Sequence, residues 1–263
     1  MTGHSLAIDG LSVRFGDRTV LDGVSFQAAA GEFVCVLGPN GAGKSTMLRA
    51  IAGLVPAKGR IVLDGADLAS RPAMTRARLV AYLPQGHVAH WPLSVRDTVA
   101  IGRVPHGART GRLSAGDLAI IERALAAVDA TALAERPVTE LSGGERARVM
   151  LARALAVEAP VLLADEAVAA LDPGHQLTVM ALLRDIASKG AIVLAALHDL
   201  TLAARFATRI VVLDHGRLAA NGKASEAMAP ELLARVFGIR AAYLEHDGLG
   251  VVVPWSTGAE SRR

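Results

Sequence analysis

The sequence predicts an α/β fold with a mainly parallel β-sheet, and three observations support it. Short apolar runs typical of buried strands alternate with amphipathic helical stretches along most of the 263 residues. Hydrophobic residues make up 52% of the chain and charged residues 20%, which excludes a disordered chain. No apolar run reaches the roughly 20 residues that a membrane-spanning helix needs. The first residues lack a signal-peptide pattern, and we therefore expect none.

The strands are predicted from alternation and from short buried runs. Alternating residues at 6–8, 11–13 and 19–26, with a turn at Gly16-Asp17, predict an N-terminal antiparallel β portion. Further strands are predicted at 33–37, 60–63, 79–83, 161–164, 192–197 and 210–213.

Helical periodicity covers much of the rest of the chain. Helices are predicted at 45–52, 118–128, 142–158, 174–188, 200–206 and 225–237, followed by a hairpin at 242–253 that turns at Asp247-Gly248 and a frayed tail at 257–263. We interpret the whole chain as one domain with three parts. These are a core at 1–86 and 160–240 that includes the N-terminal β portion, an inserted helical subdomain at 87–159, and a C-terminal hairpin and tail at 241–263.

A glycine-rich loop joins the strand at 33–37 to the following helix and matches the pattern G-x-x-x-x-G-K-[ST]. Glycines let backbone N–H groups close around phosphate oxygens, and the helix N-terminus adds its positive end. Lys44 can reach the β- and γ-phosphates, and the Ser45 hydroxyl can ligate Mg²⁺. The fold is therefore predicted to be a P-loop NTPase core. The residues of the loop are Gly38, Pro39, Asn40, Gly41, Ala42, Gly43, Lys44, Ser45 and Thr46.

Two acids follow the apolar strand at 161–164. A P-loop needs a carboxylate that holds the metal, usually at the end of another strand. Asp165 can bind Mg²⁺, directly or through water, and Glu166 can polarise the attacking water. Alone, the two acids would fit a surface turn equally well, but the P-loop favours the functional interpretation.

A second candidate phosphate-binding surface lies at the predicted start of a helix. There a serine and two glycines expose a hydroxyl and backbone N–H groups at the positive helix end. Ser142 and Glu145 also fit a capping box, and the two interpretations are compatible. The residues are Leu141, Ser142, Gly143, Gly144 and Glu145.

With these motifs the chain resembles the ATP-binding subunits of ABC transporters over nearly all its length. Gln85 matches the family's Q-loop glutamine, and His198 matches its switch histidine. Ala170-Leu171-Asp172 matches the D-loop, with Asp172 as its acid. Phe15 stands where the family places an aromatic residue on adenine. Each match is weak alone, and the four gain weight from their order along the chain.

The resemblance implies a role for each of these positions. ATP is expected at the loop 38–46 and at Phe15, with catalysis by Glu166, His198 and Gln85. The implied Mg²⁺ ligands are Ser45, Gln85 and Asp165.

The resemblance also implies partners. In the family, the P-loop and the signature loop of one chain lie too far apart to share a nucleotide. A homodimer is therefore expected, with ATP between Lys44 of one chain and the signature loop, 141–145, of the other. The resemblance further implies integral membrane permease subunits and, indirectly, a periplasmic or surface solute-binding protein. Such a subunit is peripheral, on the cytoplasmic face of the cell membrane.

Three stretches are similar to a subgroup that imports iron–siderophore, haem and cobalamin complexes. They are residues 93–106, 171–176 and 251–254. We therefore expect an ATPase that powers import of a metal-chelate-type substrate, which is an iron–siderophore complex, haem or cobalamin. Trp91, Pro92 and Leu93 could contact the permease or equally pack within the helical subdomain.

Two positions depart from the family pattern. Ala167 stands where proline is usual after the two acids, and Ala147 stands where the signature helix usually carries glutamine. In the family mechanism, neither change removes a group that touches phosphate, metal or water. We therefore expect the departures to affect strand-end rigidity and signature-helix contacts more than activity.

The sequence gives less support to other functions. An ABC ATPase of another transporter class remains open. An ABC ATPase acting on nucleic acid or ribosomes is disfavoured, because the chain has a single cassette and its net charge of +3 comes from scattered arginines. The signature loop and His198 argue against a P-loop kinase or GTPase. His87 and His90 have no cysteine or acid at ligand spacing, so we expect no metal site there.

Overall fold

The computed structural model describes residues 3–86, 91–109, 112–169, 171–246 and 249–257. Its strands are β1 Ser5–Phe15, β2 Arg18–Ala29, β3 Phe33–Leu37, β4 Lys58–Leu63, β5 Ala66–Asp67, β6 Val80–Leu83, β7 Val161–Asp165, β8 Ile192–Ala196, β9 Arg209–Asp214, β10 Arg217–Gly222, β11 Ile239–His246 and β12 Leu249–Thr257. Its α-helices are α1 Lys44–Ile51, α2 Ala73–Leu79, α3 Val95–Ala100, α4 Ala115–Ala127, α5 Gly143–Leu155, α6 Pro173–Ser188, α7 Leu200–Phe206, α8 Ala224–Ala227 and α9 Pro230–Phe237. Short 3-10 helices lie at Leu68–Ser70, Ile101–His106, Thr131–Leu133 and Val138–Glu140.

A six-stranded sheet forms the centre of the fold, in the order β10-β9-β3-β8-β7-β6. The five strands from β9 to β6 run parallel, and β10 pairs with β9 in the antiparallel direction. Every residue of β3, β7 and β8 is buried, as expected for parallel strands covered on both faces. This confirms the predicted α/β fold with its mainly parallel sheet.

The strand β3 shows how the two faces of this sheet are filled. Phe33, Cys35 and Leu37 belong to the larger core cluster, which includes α4 to α7. Val34 and Val36 point the other way, into a cluster shared with α1 and the N-terminal strands. The continuous apolar run is therefore explained by burial on both sides. Complete burial of a side chain such as Phe33 contributes roughly 1.5–3 kcal/mol.

The predicted N-terminal antiparallel portion is a four-stranded sheet in the order β2-β1-β4-β5. The predicted strands at 6–8 and 11–13 form one strand, β1, which is bent by register shifts against β2. The pairing of Phe15 with Arg18 closes the β1–β2 hairpin. Neither β5 nor β10 was predicted. β5 has only two residues, and β10 has a mixed sequence at the sheet edge, which gives no periodic signal.

The single helix predicted at 225–237 is wrong. The chain forms α8 and α9, with Met228 and Ala229 between them. Pro230 is the cause, since a residue before proline avoids the helical region, and Ala229 has an extended conformation with ψ of 146°. The predicted helix 142–158 also ends earlier, at Leu155, and Glu158 adopts a positive φ of 53°.

The C-terminal hairpin is longer than predicted, because β11 and β12 pair from Ile239 with Thr257 to His246 with Leu249. The predicted turn at Asp247-Gly248 lies outside the described residues. The same holds for the predicted tail beyond Thr257. Within the part of the chain that the structure describes, no helix combines the length and hydropathy needed to cross a membrane.

Candidate functional site

Four loops that follow neighbouring parallel strands meet at one edge of the central sheet. The loop at 38–43 follows β3, His198 follows β8, Glu166 follows β7 and Gln85 follows β6. Carboxyl ends of parallel strands are where open α/β sheets bind ligands. The loops and the β1–β2 hairpin enclose a cleft of about 470 Å³. It is lined by Phe15, Arg18, Val20, residues 40–46, Gln85, Glu166 and His198.

Two glycines of the loop occupy positions that no other residue could take without rearrangement. Gly38 has φ of 152°, and a Cβ there would lie 2.3 Å from the Leu213 carbonyl oxygen. Gly43 has φ of 101°, and its Cβ would lie 2.6 Å from Leu21 Cδ2. Gly43 also precedes α1, which has no side-chain cap and no acid in its first turn. The positive end of α1 is therefore available to an anion.

Lys44 is buried and bonded to its own loop. Its Nζ donates to the carbonyl oxygens of Gly38 at 2.7 Å and Pro39 at 3.1 Å. Burial lowers the pKa of the Lys44 ammonium, while the negative charges of Glu166 and Asp165 oppose that shift. The ammonium is thus held inside the loop, beside both acids.

Asp165 is fully buried, and both of its carboxylate oxygens accept hydrogen bonds. Ser45 Oγ donates to Oδ1 at 2.8 Å, and the Tyr82 hydroxyl donates to Oδ2 at 3.0 Å. The Tyr82 oxygen in turn accepts from Arg49 Nε at 3.3 Å. Burial raises the pKa of Tyr82, so its hydroxyl keeps the proton that it donates.

Sequence reasoning missed this role of Tyr82. The only indication of this role was that Tyr82 lies in a strand, β6. In the structure, β6 pairs with β7, the strand that ends in Asp165. The adjacent Ser45 hydroxyl and Asp165 carboxylate are hard oxygen donors of the kind that Mg²⁺ prefers. These residues therefore fit a magnesium ion.

The Glu166 carboxylate lies between two side chains that sequence analysis associated with it. Gln85 Nε2 donates to Oε2 at 2.6 Å, and His198 Nε2 lies 2.6 Å from Oε1. An ionised carboxylate only accepts hydrogen bonds, so the bond to Oε1 requires the proton on Nε2 of His198. Glu166 also has φ of 53°, a strained conformation for a residue with a Cβ. The loops thus hold this carboxylate in one orientation.

The signature loop, residues 141–145, does not line this cleft. Ser142 caps α5 and forms a capping box with Glu145, as the sequence predicts. The hydrogen bonds from Ser142 lower the pKa of the Glu145 carboxyl. Ser142 and Gly143 are exposed.

Asp172 of the D-loop caps α6 and bonds to His175 through the backbone nitrogen at 3.0 Å and through Nδ1 at 2.6 Å. Ala170 of the same loop lies outside the described residues. The two departures from the family pattern, Ala147 and Ala167, are buried.

Two residues of the cleft wall were not predicted from the sequence. Arg18 and Val20 line the cleft and were missed by the sequence analysis, although Arg18 pairs with Phe15 across the hairpin.

Trp91 is 75% exposed and Leu93 is also exposed, which argues against tight packing of Trp91 within the helical subdomain. His87 and His90 lie outside the described residues. Among described residues, no three His, Cys, Asp or Glu side chains group as a metal site would.

Comparison with known proteins agrees with this geometry. Residues 21–169 match the family model for ABC transporters. A hemin import ATP-binding protein of Rhodococcus jostii is 46% identical over 95% of this chain and 85% of the relative. A cobalamin import ATP-binding protein of Halobacterium salinarum is 40% identical over 94% of this chain and 62% of the relative.

A solved structure has the same fold. It is a transporter assigned to the metal-chelate type of ABC transporter, in an inward-facing conformation. The TM-score is 0.81 at 26% identity, and the match covers 96% of this chain and 98% of the other.

Proposed function

This chain belongs to the ABC transporter family and is an ABC-type ATPase of the metal-chelate importer group, and we propose that it powers the uptake of a tetrapyrrole–metal complex. Haem and cobalamin are the cargoes named for the two relatives, and both are metal complexes of large macrocycles. None of the relatives described above supports the predicted iron–siderophore cargo.

The observation that carries the ATPase mechanism is the contact of Glu166 with both Gln85 and His198 beside Lys44. Glu166 accepts a proton from the attacking water, and Gln85 and His198 hold its carboxylate in position. Ser45, Asp165 and the amide oxygen of Gln85 would hold Mg²⁺, which would supply positive charge to offset the charge that develops on the phosphates.

ATP binding is assigned to the loop and the hairpin beside it. The backbone N–H groups of residues 38–46 and the start of α1 surround the phosphates, and the Lys44 ammonium exchanges its carbonyl partners for phosphate oxygens. Phe15 is half exposed in the cleft wall, where its ring can stack on adenine.

A homodimer completes the site. The signature residues 141–145 start α5, with Ser142 exposed and outside the cleft of their own chain. A second copy can therefore present them to the phosphates, with Asp172 at the same interface. The complex has two equivalent composite sites, one for each P-loop.

The chain is peripheral on the cytoplasmic face of the membrane, against integral permease subunits that receive cargo from a solute-binding protein. The exposed side chains of Trp91, Pro92 and Leu93 form part of the permease contact. We propose the division into a core at 1–86 and 160–240, a helical subdomain at 87–159, and a C-terminal part at 241–263. All strands of the six-stranded sheet fall within the two core ranges, which supports this division.

The Glu166→Gln variant tests the catalytic assignment. Loss of a general base lowers turnover by roughly 10²- to 10⁴-fold. We expect this loss in MgATP hydrolysis, with ATP binding retained because Lys44 and the loop are unchanged. Glu231→Gln, a change in α9 at a residue that does not line the cleft, serves as the control. Undiminished hydrolysis by Glu166→Gln would refute the assignment.

Uptake by the complete complex tests the cargo. The ATPase is purified with its native permease, reconstituted in vesicles, and supplied with solute-binding protein and hemin, cobalamin or a ferric siderophore. We expect ATP-dependent accumulation of hemin or cobalamin only. Accumulation of the siderophore alone would exclude the tetrapyrrole proposal and leave the ATPase assignment intact.

A further inference from the structure

The 3-10 helix Ile101–His106, called here the 3-10 segment, has one outward and one inward face. Ile101 and Val104 are 44% and 41% exposed, whereas Gly102 and Arg103 are buried. Its exposed apolar residues belong to the same subdomain as Trp91, where the permease contact is proposed. The inward residues meet the C-terminal end of α5, the helix that begins at the signature loop.

The first inward contact is made by backbone. A Cβ at Gly102 would lie 2.3 Å from the Arg153 carbonyl oxygen and 3.0 Å from Ala156 Cβ. Only a residue without a side chain permits this approach. The 3-10 segment therefore packs directly on the last turn of α5.

The second contact is made by Arg103, whose side chain is 8% exposed. Its Nη1 donates to the Ala156 carbonyl oxygen at 2.8 Å, which satisfies a carbonyl at the end of α5. Its Nε donates to Asp117 Oδ1 at 2.9 Å, and Nη1 lies 3.4 Å from Glu158 Oε2. Hydrogen bonds from Ser114 and then from Arg103 lower the pKa of Asp117 to about 2, so its carboxylate is charged at neutral pH. One guanidinium thus joins the 3-10 segment, α4 and α5.

The third contact is made by His106, and like that of Arg103 it is a hydrogen bond to a carbonyl group at the end of α5. His106 Nε2 lies 2.8 Å from the Val157 carbonyl oxygen, and because a carbonyl only accepts, the ring nitrogen donates. On the segment's other side, Arg78 of α2 donates to the Pro105 carbonyl oxygen. The segment therefore lies between a core helix and the end of the signature helix.

The helix α5 can carry a displacement from this end to the other. It has 13 residues and is about 20 Å long, with Ser142 at its N-terminus. A hydrogen-bonded helix moves as a rod over such a length, so a shift at Ala156 reorients the signature loop.

We propose that Arg103 is a positioning residue for ATP hydrolysis, because it fastens the permease-facing 3-10 segment to the signature helix and so sets the signature loop against the partner's ATP. The proposal rests on the proposed function. Arg103 does not line the cleft and acts through α5. A lysine at this position keeps the charge but loses the planar fork that contacts Ala156 and Asp117 together.

The test compares Arg103→Leu and Arg103→Lys with the matched control Arg123→Leu. Arg123 also pairs with Glu158, at 3.0 Å, but it is exposed and bonds to no carbonyl of α5 in the described structure. The complex with the native permease is reconstituted in vesicles. For Arg103→Leu we expect permease-stimulated hydrolysis and cargo transported per ATP to fall about tenfold, the effect of one charge-assisted hydrogen bond.

The other variants and the isolated subunit also have defined expected results. Arg103→Lys recovers part of the loss, Arg123→Leu matches the unaltered protein, and basal hydrolysis of the isolated Arg103→Leu subunit falls by less than the stimulated hydrolysis of the complex. Loss of stimulation no greater than in Arg123→Leu overturns the proposal. A parallel fall of basal activity, stimulation and melting temperature overturns it as well, because that pattern indicates a structural role alone. If the unaltered complex shows no ATP-driven uptake, the proposed function fails.

A second measurement needs no permease. Amide hydrogen exchange is followed in the isolated subunit at residues 141–147 and at the P-loop, 38–46. In Arg103→Leu we expect faster exchange at 141–147 and unchanged exchange at 38–46, with Arg123→Leu unchanged in both. Equal exchange at 141–147 in both arginine variants overturns the proposal, whatever the outcome with vesicles.

Discussion

At the scale of single residues, the buried carboxylate of Asp165 depends on a group outside the sequence motifs. Ser45 and Tyr82 donate to its two oxygens, and Arg49 holds the Tyr82 hydroxyl from the other side. A side chain that orients a metal ligand alters metal affinity without touching the metal. Tyr82 therefore belongs to the proposed magnesium site.

Removal of the Tyr82 hydroxyl in Tyr82→Phe tests this role. Because changes to such orienting groups typically cost 10- to 100-fold, we expect half-maximal ATP hydrolysis to need about tenfold more Mg²⁺. The matched control is Tyr243→Phe, which removes a hydroxyl bonded to the Met228 carbonyl oxygen in the C-terminal part. An unchanged Mg²⁺ requirement in Tyr82→Phe would contradict the prediction.

Glu166 provides a second prediction at the scale of residues, because its φ of 53° is unfavourable for a residue that carries a Cβ. A residue with a Cβ loses roughly 1–2 kcal/mol of folding stability in this region. Glycine avoids that cost, but its greater conformational entropy in the unfolded chain lowers stability by about 0.4–1 kcal/mol. We expect Glu166→Gly to be about 0.5–1 kcal/mol more stable than Glu166→Ala in urea unfolding. Both variants lack the carboxylate, so the comparison isolates the backbone. An alanine variant as stable as the glycine variant would exclude stored strain at this site.

At the scale of elements, the junction of β3, the P-loop and α1 is limited by space as well as by φ. Gly38 meets the Leu213 carbonyl of β9, whereas Gly41, with φ of 79°, has no atom within 4 Å of a built Cβ. Substitution of either glycine therefore introduces backbone strain, and only substitution of Gly38 also introduces a steric clash, with the Leu213 carbonyl oxygen.

Alanine variants at these two glycines separate the two effects. We expect Gly38→Ala to be less stable than Gly41→Ala by about 1–3 kcal/mol, the usual cost of overpacking. The measurement is chemical denaturation without nucleotide, so that altered ATP affinity has no effect. Equal stabilities would show that β9 moves away at little cost.

Element prediction succeeded where hydrophobic periodicity defines the element, and it failed where a proline breaks a helix or where pairing with another strand defines the element. The run at 33–37 and the helix at 200–206 are found with their predicted bounds. The helix at 225–237 is broken by the local effect of Pro230, which periodicity alone overlooked. The strand β10 has no strong pattern of its own and is defined by its pairing with β9.

At the scale of the whole molecule, one chain holds a cleft with a P-loop on one side and leaves Ser142 and Gly143 of its own signature loop exposed outside that cleft. The proposed homodimer follows from this separation. Two copies related by a two-fold axis would place Ser142 of each against the cleft of the other.

Association in the presence of ATP tests the dimer. The Glu166→Gln variant, which retains ATP, is expected to be dimeric by size exclusion with light scattering when MgATP is present and monomeric without it. Adding Ser142→Arg should abolish the dimer. Ser114→Arg is the matched control, because Ser114 caps α4 through the same kind of capping box. Monomers with MgATP, or equal loss with Ser114→Arg, would contradict the composite site.

The sequence by itself determined the P-loop, the acids after 161–164, the signature loop and most strands, because each depends on residues adjacent along the chain. Only the tertiary structure decided that β3, β8, β7 and β6 lie side by side, so that Lys44, His198, Glu166 and Gln85 meet at one edge. It also decided the contacts of Tyr82 with Asp165 and of Arg103 with α5, which join residues 83 and 53 positions apart. Such contacts leave no periodic trace, because packing of whole elements brings their atoms within hydrogen-bond distance.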